Sequence, residues 1–209
     1  VVYHDSGLNP AITRGGNGKW VKEKHLIKEL SLSEVQAYDV GKLNRWSNYA
    51  RRYPKQKPAA GERIPTLREV IQLVKRTSGK THMFIELKFS PIKPEETKSR
   101  EEIANIVAEV IRNENIAERV TIISFDWKIL MHFQIIMPEV PTGYVSIAKK
   151  GRDTIQKNTP GASPWMGGLD IDNFDSIPQA VKSAGGKYWN TNYYHAVGHE
   201  RNVTSKIVA

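Results

Sequence analysis

Short apolar runs alternate along this chain with longer stretches in which apolar residues recur every three or four positions. Residues 83–87 (Met-Phe-Ile-Glu-Leu), 120–123 (Val-Thr-Ile-Ile) and 142–146 read as buried strands, continuous in apolar character as parallel strands are. Residues 1–3 read as the end of an earlier strand and residues 187–190 as a last short one. Between them the sequence carries helix start signals. Ser31-Leu32-Ser33-Glu34, Thr66-Leu67-Arg68-Glu69 and Ser99-Arg100-Glu101-Glu102 are capping boxes, in which a hydroxyl and a carboxylate satisfy each other's orphan backbone N–H groups. The first opens a short helix that stops at Gly41. The second precedes Leu67, Val70, Ile71 and Val74 on one helical face, and the third precedes Ile103, Ile106, Val107, Val110 and Ile111. Asp126 is placed to cap a helix running through Met137, and Pro178 and Gly185-Gly186 frame a further one.

The punctuation between these elements is polar. Asn9-Pro10 and Gly15-Gly16-Asn17-Gly18 mark a long loop, and residues 151–168 are a Gly/Pro-rich loop or flap. Residues 45–63, with Pro54, Pro58 and Gly61 and no apolar period, are expected to be a loop long enough to be functional. No linker or internal repeat divides residues 1–209, so a single domain is expected. Strand and helix in alternation imply an α/β fold with a parallel sheet.

Composition narrows the partners. The 31 Lys and Arg against 22 Asp and Glu leave a net charge of +9, which attracts anions of any size. These cations are spread along the chain apart from pairs such as Arg51-Arg52 and Lys149-Lys150, which argues against nucleic acid as the partner. Without cysteine there is no disulfide and no thiolate metal site. No apolar run reaches membrane-spanning length.

The candidate chemistry sits at strand ends, where parallel β/α enzymes build their sites. Glu86 closes the apolar run 83–87 and Lys88 follows two residues later, so both side chains fall on one face. Burying such a pair with no function is costly. His4 and Asp5 follow the first run; on the residues alone His4 reads as a strand-end histidine bonded to a loop before a proton-transfer group, though its side chain suits proton transfer near neutral pH, and Asp5 either orients it or caps the loop. Ser124 and Asp126 end the next strand and read as helix-capping groups before site residues. Tyr144, Trp165 and Tyr193 read as packing residues before pocket walls, and His25, His82, His132, His195 and His199 match no site.

Several segments, in order, resemble the glycerophosphodiester phosphodiesterases, in particular the bacterial periplasmic type. They are Val-Val-Tyr-His-Asp at the start, Asn-Pro-Ala-Ile-Thr-Arg from Asn9, Leu-Ser-Glu-Val-Gln-Ala-Tyr-Asp-Val-Gly from Leu32, Arg-Ile-Pro-Thr-Leu-Arg-Glu-Val from Arg63, Phe-Ile-Glu-Leu-Lys from Phe84, Val-Thr-Ile-Ile-Ser-Phe-Asp-Trp from Val120, and Ala-Gly-Gly from Ala184. The resemblance implies a TIM (β/α)8 barrel of the phosphatidylinositol-phospholipase-like phosphodiesterase type. It implies hydrolysis of glycerophosphodiesters to glycerol 3-phosphate and an alcohol, with a divalent cation, Ca²⁺ or Mg²⁺, as cofactor. His4 would be the second of two catalytic histidines, Glu86 one of three carboxylate metal ligands and Lys88 the phosphate-binding cation. One histidine would deprotonate the glycerol C2 hydroxyl to give a cyclic phosphate, and His4 would protonate the departing alkoxide. A periplasmic or secreted location follows by resemblance only.

The family's His-Arg-Gly and Glu-x-Asp motifs do not occur in the chain, nor does its final Trp-Thr-Val-Asn type motif. A complete barrel of this kind takes ~250 residues. The chain is therefore expected to form an incomplete barrel covering about strands three to seven, with His4, Glu86 and Lys88 at one mouth. Taken alone it is expected to turn over substrate at no more than background. The alternative reading is an inactive fragment or a phosphoester-binding remnant.

Overall fold

All three capping boxes close as the sequence predicts, and the helices they open set the framework. The structure, a computed structural model, describes residues 1–77 and 79–191. It divides into two compact units: residues 1–79 with 95–97, and residues 80–94 with 98 onward.

The first unit contains α1 (Leu32–Gln36), α2 (Asn48–Arg51) and α3 (Leu67–Thr77). Ser31 and Glu34 cap α1 reciprocally, and Thr66 and Glu69 do the same for α3. The helix from Ser31 ends at Gln36, short of Gly41, because Asp39 is drawn instead into bridges with Arg14 and Arg63. Leu8, Val35 and Ile64 form the core, with Tyr3, Val21, Ile27, Leu30, Tyr38 and Val40 packed around them. Residues 1–3 are not a strand: Val2 donates one backbone hydrogen bond to Pro65, and one bond does not make a ladder. The 45–63 loop holds one helical turn, α2, capped by Ser47. A single turn shows no apolar periodicity, so the sequence pattern does not reveal it. Gly41 pins this loop. A side chain there would meet the Ala59 carbonyl at 1.6 Å, and Ala59 N–H donates to the Gly41 carbonyl at 2.8 Å.

Asp39 ties the same loop down electrostatically. Its carboxylate accepts from the Gly61 and Gly41 N–H groups and from Arg14. The Gly61 bond, with those from Gly41 and Arg14, holds its pKa below the usual carboxylate value against the opposing effect of burial.

The second unit runs β1 (Met83–Glu86), α4 (Arg100–Asn113), β2 (Val120–Ser124), α5 (Trp127–Ile136), β3 (Thr142–Ser146), a small antiparallel hairpin of β4 (Ala148–Lys149) and β5 (Arg152–Asp153), α6 (Ile177–Ser183) and β6 (Tyr188–Thr191). The hairpin lies partly inside the segment expected to be a plain loop. Strands β1, β2, β3 and β6 form one parallel sheet in that order. Among the described residues the sheet does not close on itself. This is the incomplete β/α barrel expected, with four parallel strands in place of five.

The sheet has two unlike faces. One carries Ile122 and Tyr144 and packs under the helices. Trp127 of α5 meets Tyr144 edge-on at 4.9 Å, and the Tyr144 hydroxyl donates to the Ala184 carbonyl. Burial pushes that hydroxyl's pKa up. Gly186 is obligatory beside it, since a Cβ would stand 2.5 Å from the ring. The register puts Phe84, Glu86, Thr121, Ile123, Gly143, Val145, Tyr188 and Asn190 on the other face. The Phe84 and Tyr188 ring centroids lie 6.4 Å apart although two strands separate β1 from β6. Four flat strands would set those two roughly 14 Å apart. The sheet is curled with this face concave, as a barrel wall is.

Candidate active site

Glu86 is the last residue of β1, on the concave face at the carboxyl end. The ladder continues one residue further, through Leu87 N–H to the Ile123 carbonyl, so Lys88 keeps the strand's geometry. Lys88 Nζ donates to Glu86 Oε1 at 2.8 Å, and both side chains are half-buried. The two side chains share a face, as the two-residue spacing predicts, and here they pair with each other.

What supports this strand end was read in part from the sequence. Ser124 Oγ donates to the Leu87 carbonyl at 2.7 Å and accepts from Asp126 N–H at 3.1 Å. Asp126 is fully buried. It caps α5 through Ile129 N–H and receives Nε and Nη2 of Arg100, both at 2.8 Å. Asp126 caps α5 as the capping reading expected, Ser124 instead ties the end of β1 to the start of that turn, and Arg100 is a support the pattern did not disclose. The Arg100 guanidinium also lies 4.1 Å from the ring centre of Phe89.

Asn190, on β6, was missed. Its side chain shares the concave face, one pleat beyond Tyr188, and its buried Oδ1 has no hydrogen-bond partner among the described residues. A polar residue ending the last apolar run was the available signal. Gly143 makes room for it, since a Cβ there would stand 2.4 Å from Asn190 Oδ1.

His4 lies in the first unit and Glu86 and Lys88 in the second. The His4 ring is largely exposed, with Nδ1 2.7 Å from Asp5 Oδ1. The other Asp5 oxygen accepts from Asn9 Nδ2 at 2.8 Å. Asn9 N–H in turn donates to the Tyr3 hydroxyl, which bonds Thr13. Asp5 therefore orients His4 and braces the following loop at once, and Asn9 is its support.

The remaining candidates fall outside this arrangement. Tyr144 is core, and the Trp165 carbonyl accepts from Trp127 N–H. His82 bonds Thr121, and His132 sits on α5. Tyr193, His195 and His199 lie outside the described residues. A cavity of about 280 Å³ lined by Gln134, Val140, Thr142 and Lys187 opens at the amino end of β3, opposite to the end bearing Glu86 and Lys88. It lies away from the site. Among the described residues no group of three His, Cys, Asp or Glu side chains could hold a metal ion. No described helix is long and apolar enough to cross a membrane.

Parallel strands joined by helices, curled about a face whose carboxyl end carries an acid and an amine, define the wall and mouth of a β/α barrel. The profile of the glycerophosphoryl diester phosphodiesterase family matches residues 1–185, and the chain belongs to that family. A solved structure from Silicibacter pomeroyi DSS-3, provisionally named a glycerophosphoryl diester phosphodiesterase, is similar at 30% identity and a TM-score of 0.75. The likeness covers 90% of this chain and 59% of that one, so the chain spans about three-fifths of that structure's length. An Oleispira antarctica phosphodiesterase, solved with the product sn-glycerol-3-phosphate, matches at 18% identity and a TM-score of 0.49, over 99% of this chain and 78% of that one. No curated protein matches the chain.

Proposed function

We propose that this protein hydrolyses glycerophosphodiesters to glycerol 3-phosphate and an alcohol. The observation that carries the reading is the Glu86–Lys88 pair at the carboxyl end of β1, in a chain matching the family profile over residues 1–185. Lys88 binds a phosphate oxygen as a point charge, held at the strand end by Glu86. His4 gives its Nε2 proton to the alkoxide oxygen that leaves phosphorus, while Asp5 keeps Nδ1 and fixes the ring. The oxygen that displaces it is the glycerol C2 hydroxyl, whose proton goes to the other of the two histidines that the resemblance implies. Water then opens the resulting cyclic phosphate.

Glu86 is proposed to contribute one ligand to a Ca²⁺ or Mg²⁺ ion, since hard cations prefer carboxylate oxygens. Such an ion would supply charge neutralisation at the phosphate. One carboxylate does not by itself make a hard-cation site. The proposed compartment, periplasmic or secreted, rests on resemblance to the periplasmic enzymes.

A second reading, a phosphoester-binding remnant, is favoured by the lack of a three-ligand cluster among the described residues. Titration calorimetry with glycerol 3-phosphate and turnover of glycerophosphocholine with added Ca²⁺ or Mg²⁺ separate the two. Turnover that falls in His4→Ala, and whose divalent activation weakens in Glu86→Gln, supports hydrolysis. Binding without turnover, lost in Lys88→Gln, assigns the remnant reading. Neither binding nor turnover sinks both, and turnover undiminished by a chelator sinks the cation's role.

A further inference from the structure

Residues 45–57 of the first unit carry Arg45, Arg51, Arg52, Lys55 and Lys57 without a single acidic residue, interleaved with Trp46, Tyr49 and Tyr53. The cations are spread thinly over the chain as a whole, but here the fold presents five of them on one solvent-facing loop. Among the described residues none of the five is in an ion pair. The aromatics are outside as well. Trp46 is 77% exposed and Tyr53 46%. They are organised: Arg45 lies 4.7 Å from the Trp46 ring centre, Arg52 lies 5.9 Å from that of Tyr53, and the Tyr49 and Tyr53 rings are 5.1 Å apart. The loop is also anchored at both ends, by the Ser47 cap of α2 and by the close approach of Ala59 to Gly41.

We propose that this loop docks the protein on an anionic phospholipid surface. A solubilising patch accounts for the charges but not for an exposed tryptophan among them, since exposed aromatics work against solubility. Tryptophan and tyrosine settle at the headgroup level of a bilayer, where one end is apolar and the other wet. Lysine and arginine beside them are drawn to anionic headgroups. A nucleic acid would need open ring faces on which to stack its bases. Here one face of Trp46 and one of Tyr53 are already taken by Arg45 and Arg52, which leaves each ring a single face for stacking. At a bilayer the same pairing lets the guanidinium meet a phosphate while the ring packs on acyl chain.

The test is co-sedimentation of the 209-residue chain with vesicles of phosphatidylcholine alone and of phosphatidylcholine mixed with phosphatidylglycerol. Binding to the mixed vesicles only, weakened by salt, is expected. Each cation near the surface is worth about 5-fold in partitioning, so Arg51→Gln with Arg52→Gln lowers it roughly 30-fold. Trp46→Ala lowers it several-fold with circular dichroism unchanged. Lys149→Gln with Lys150→Gln, in the other unit, leaves it as it was. Equal binding to both vesicle types, no binding to either, or unaltered binding by the Arg51/Arg52 variant overturns the proposal. Displacement from vesicles by a DNA oligonucleotide at lower concentration than the lipid would assign the loop to nucleic acid and overturn it as well.

Discussion

Asp126→Ala removes a side chain that ties α4 to α5 at the end of β2. Three interactions go with it: two from the Arg100 guanidinium and the cap on Ile129 N–H. Stripping one partner from a buried ion pair costs about 3–5 kcal/mol, because the other charge is left uncompensated. The Arg100 side chain is 21% exposed, so water recovers part of its solvation and the lower end applies. The lost cap adds about 1 kcal/mol. The sum, about 4 kcal/mol, is a large fraction of the ~5–15 kcal/mol that holds a domain together. With a urea dependence of ~2 kcal/mol per molar, the midpoint should fall by about 2 M. Asp126→Asn keeps the shape and the oxygen that caps Ile129 N–H, but it loses the charge and replaces the acceptor for Arg100 Nη2 with an amide N–H, so about 1.5–3 kcal/mol is expected. Urea unfolding followed by far-ultraviolet circular dichroism measures both. A shift in Asp126→Ala below about 0.5 M, or equal shifts in the two variants, would refute the assignment of Asp126 as a brace.

Gly186→Ala should lower the melting temperature, since a methyl group 2.5 Å from the Tyr144 ring forces an overpacking cost of about 1–3 kcal/mol; a calorimetric scan that overlays the wild type would contradict this. Asp39 has a folded pKa below its unfolded value, so its stabilisation is complete above the unfolded value of ~3.9 and is lost as pH falls through the folded one. Asp39→Asn should therefore flatten the acid limb of the stability curve below about pH 4 while lowering stability at neutral pH, and an unchanged acid limb would rule out the linkage. Gly143→Ala should move Asn190 out of its place on the concave face, read as a shift of the Asn190 side-chain amide resonances; unmoved resonances would contradict the contact.

The helices and most strands were legible because their signals are local. The boxes at Ser31, Thr66 and Ser99, and the cap at Asp126, each depend on a few adjacent residues, and all formed. That Glu86 and Lys88 share a face was legible for the same reason, since period-2 geometry needs no tertiary information; that they pair with each other is what the structure adds. What was illegible depends on partners distant in sequence. Residues 1–3 look like a strand until the neighbours a strand requires are found missing. Arg100 reads as one more charged residue in a helix's first turn, and only the fold delivers it to Asp126. Asn190 gains its meaning from Gly143, far back along the chain. The 45–57 cluster does not stand out in a net charge of +9 spread over 209 residues, and only the fold shows that one loop exposes all five of its cations.

The strand order has a consequence for how the second unit assembles. Each strand of the parallel sheet pairs with the next parallel strand along the chain. The crossover from Ile122 to its partner Thr142, through α5, is the shortest of the three, and that from Gly143 to Tyr188, which contains the β4–β5 hairpin and α6, the longest. Closing a short loop costs the chain the least entropy, and contacts close in sequence form soonest. The β2–α5–β3 unit, already holding the Trp127–Tyr144 contact, is thus the natural nucleus, with β6 the last parallel strand to be added. Assembly would finish at the strand that carries Asn190, so the concave face acquires its last polar group only when the rest of its wall is standing.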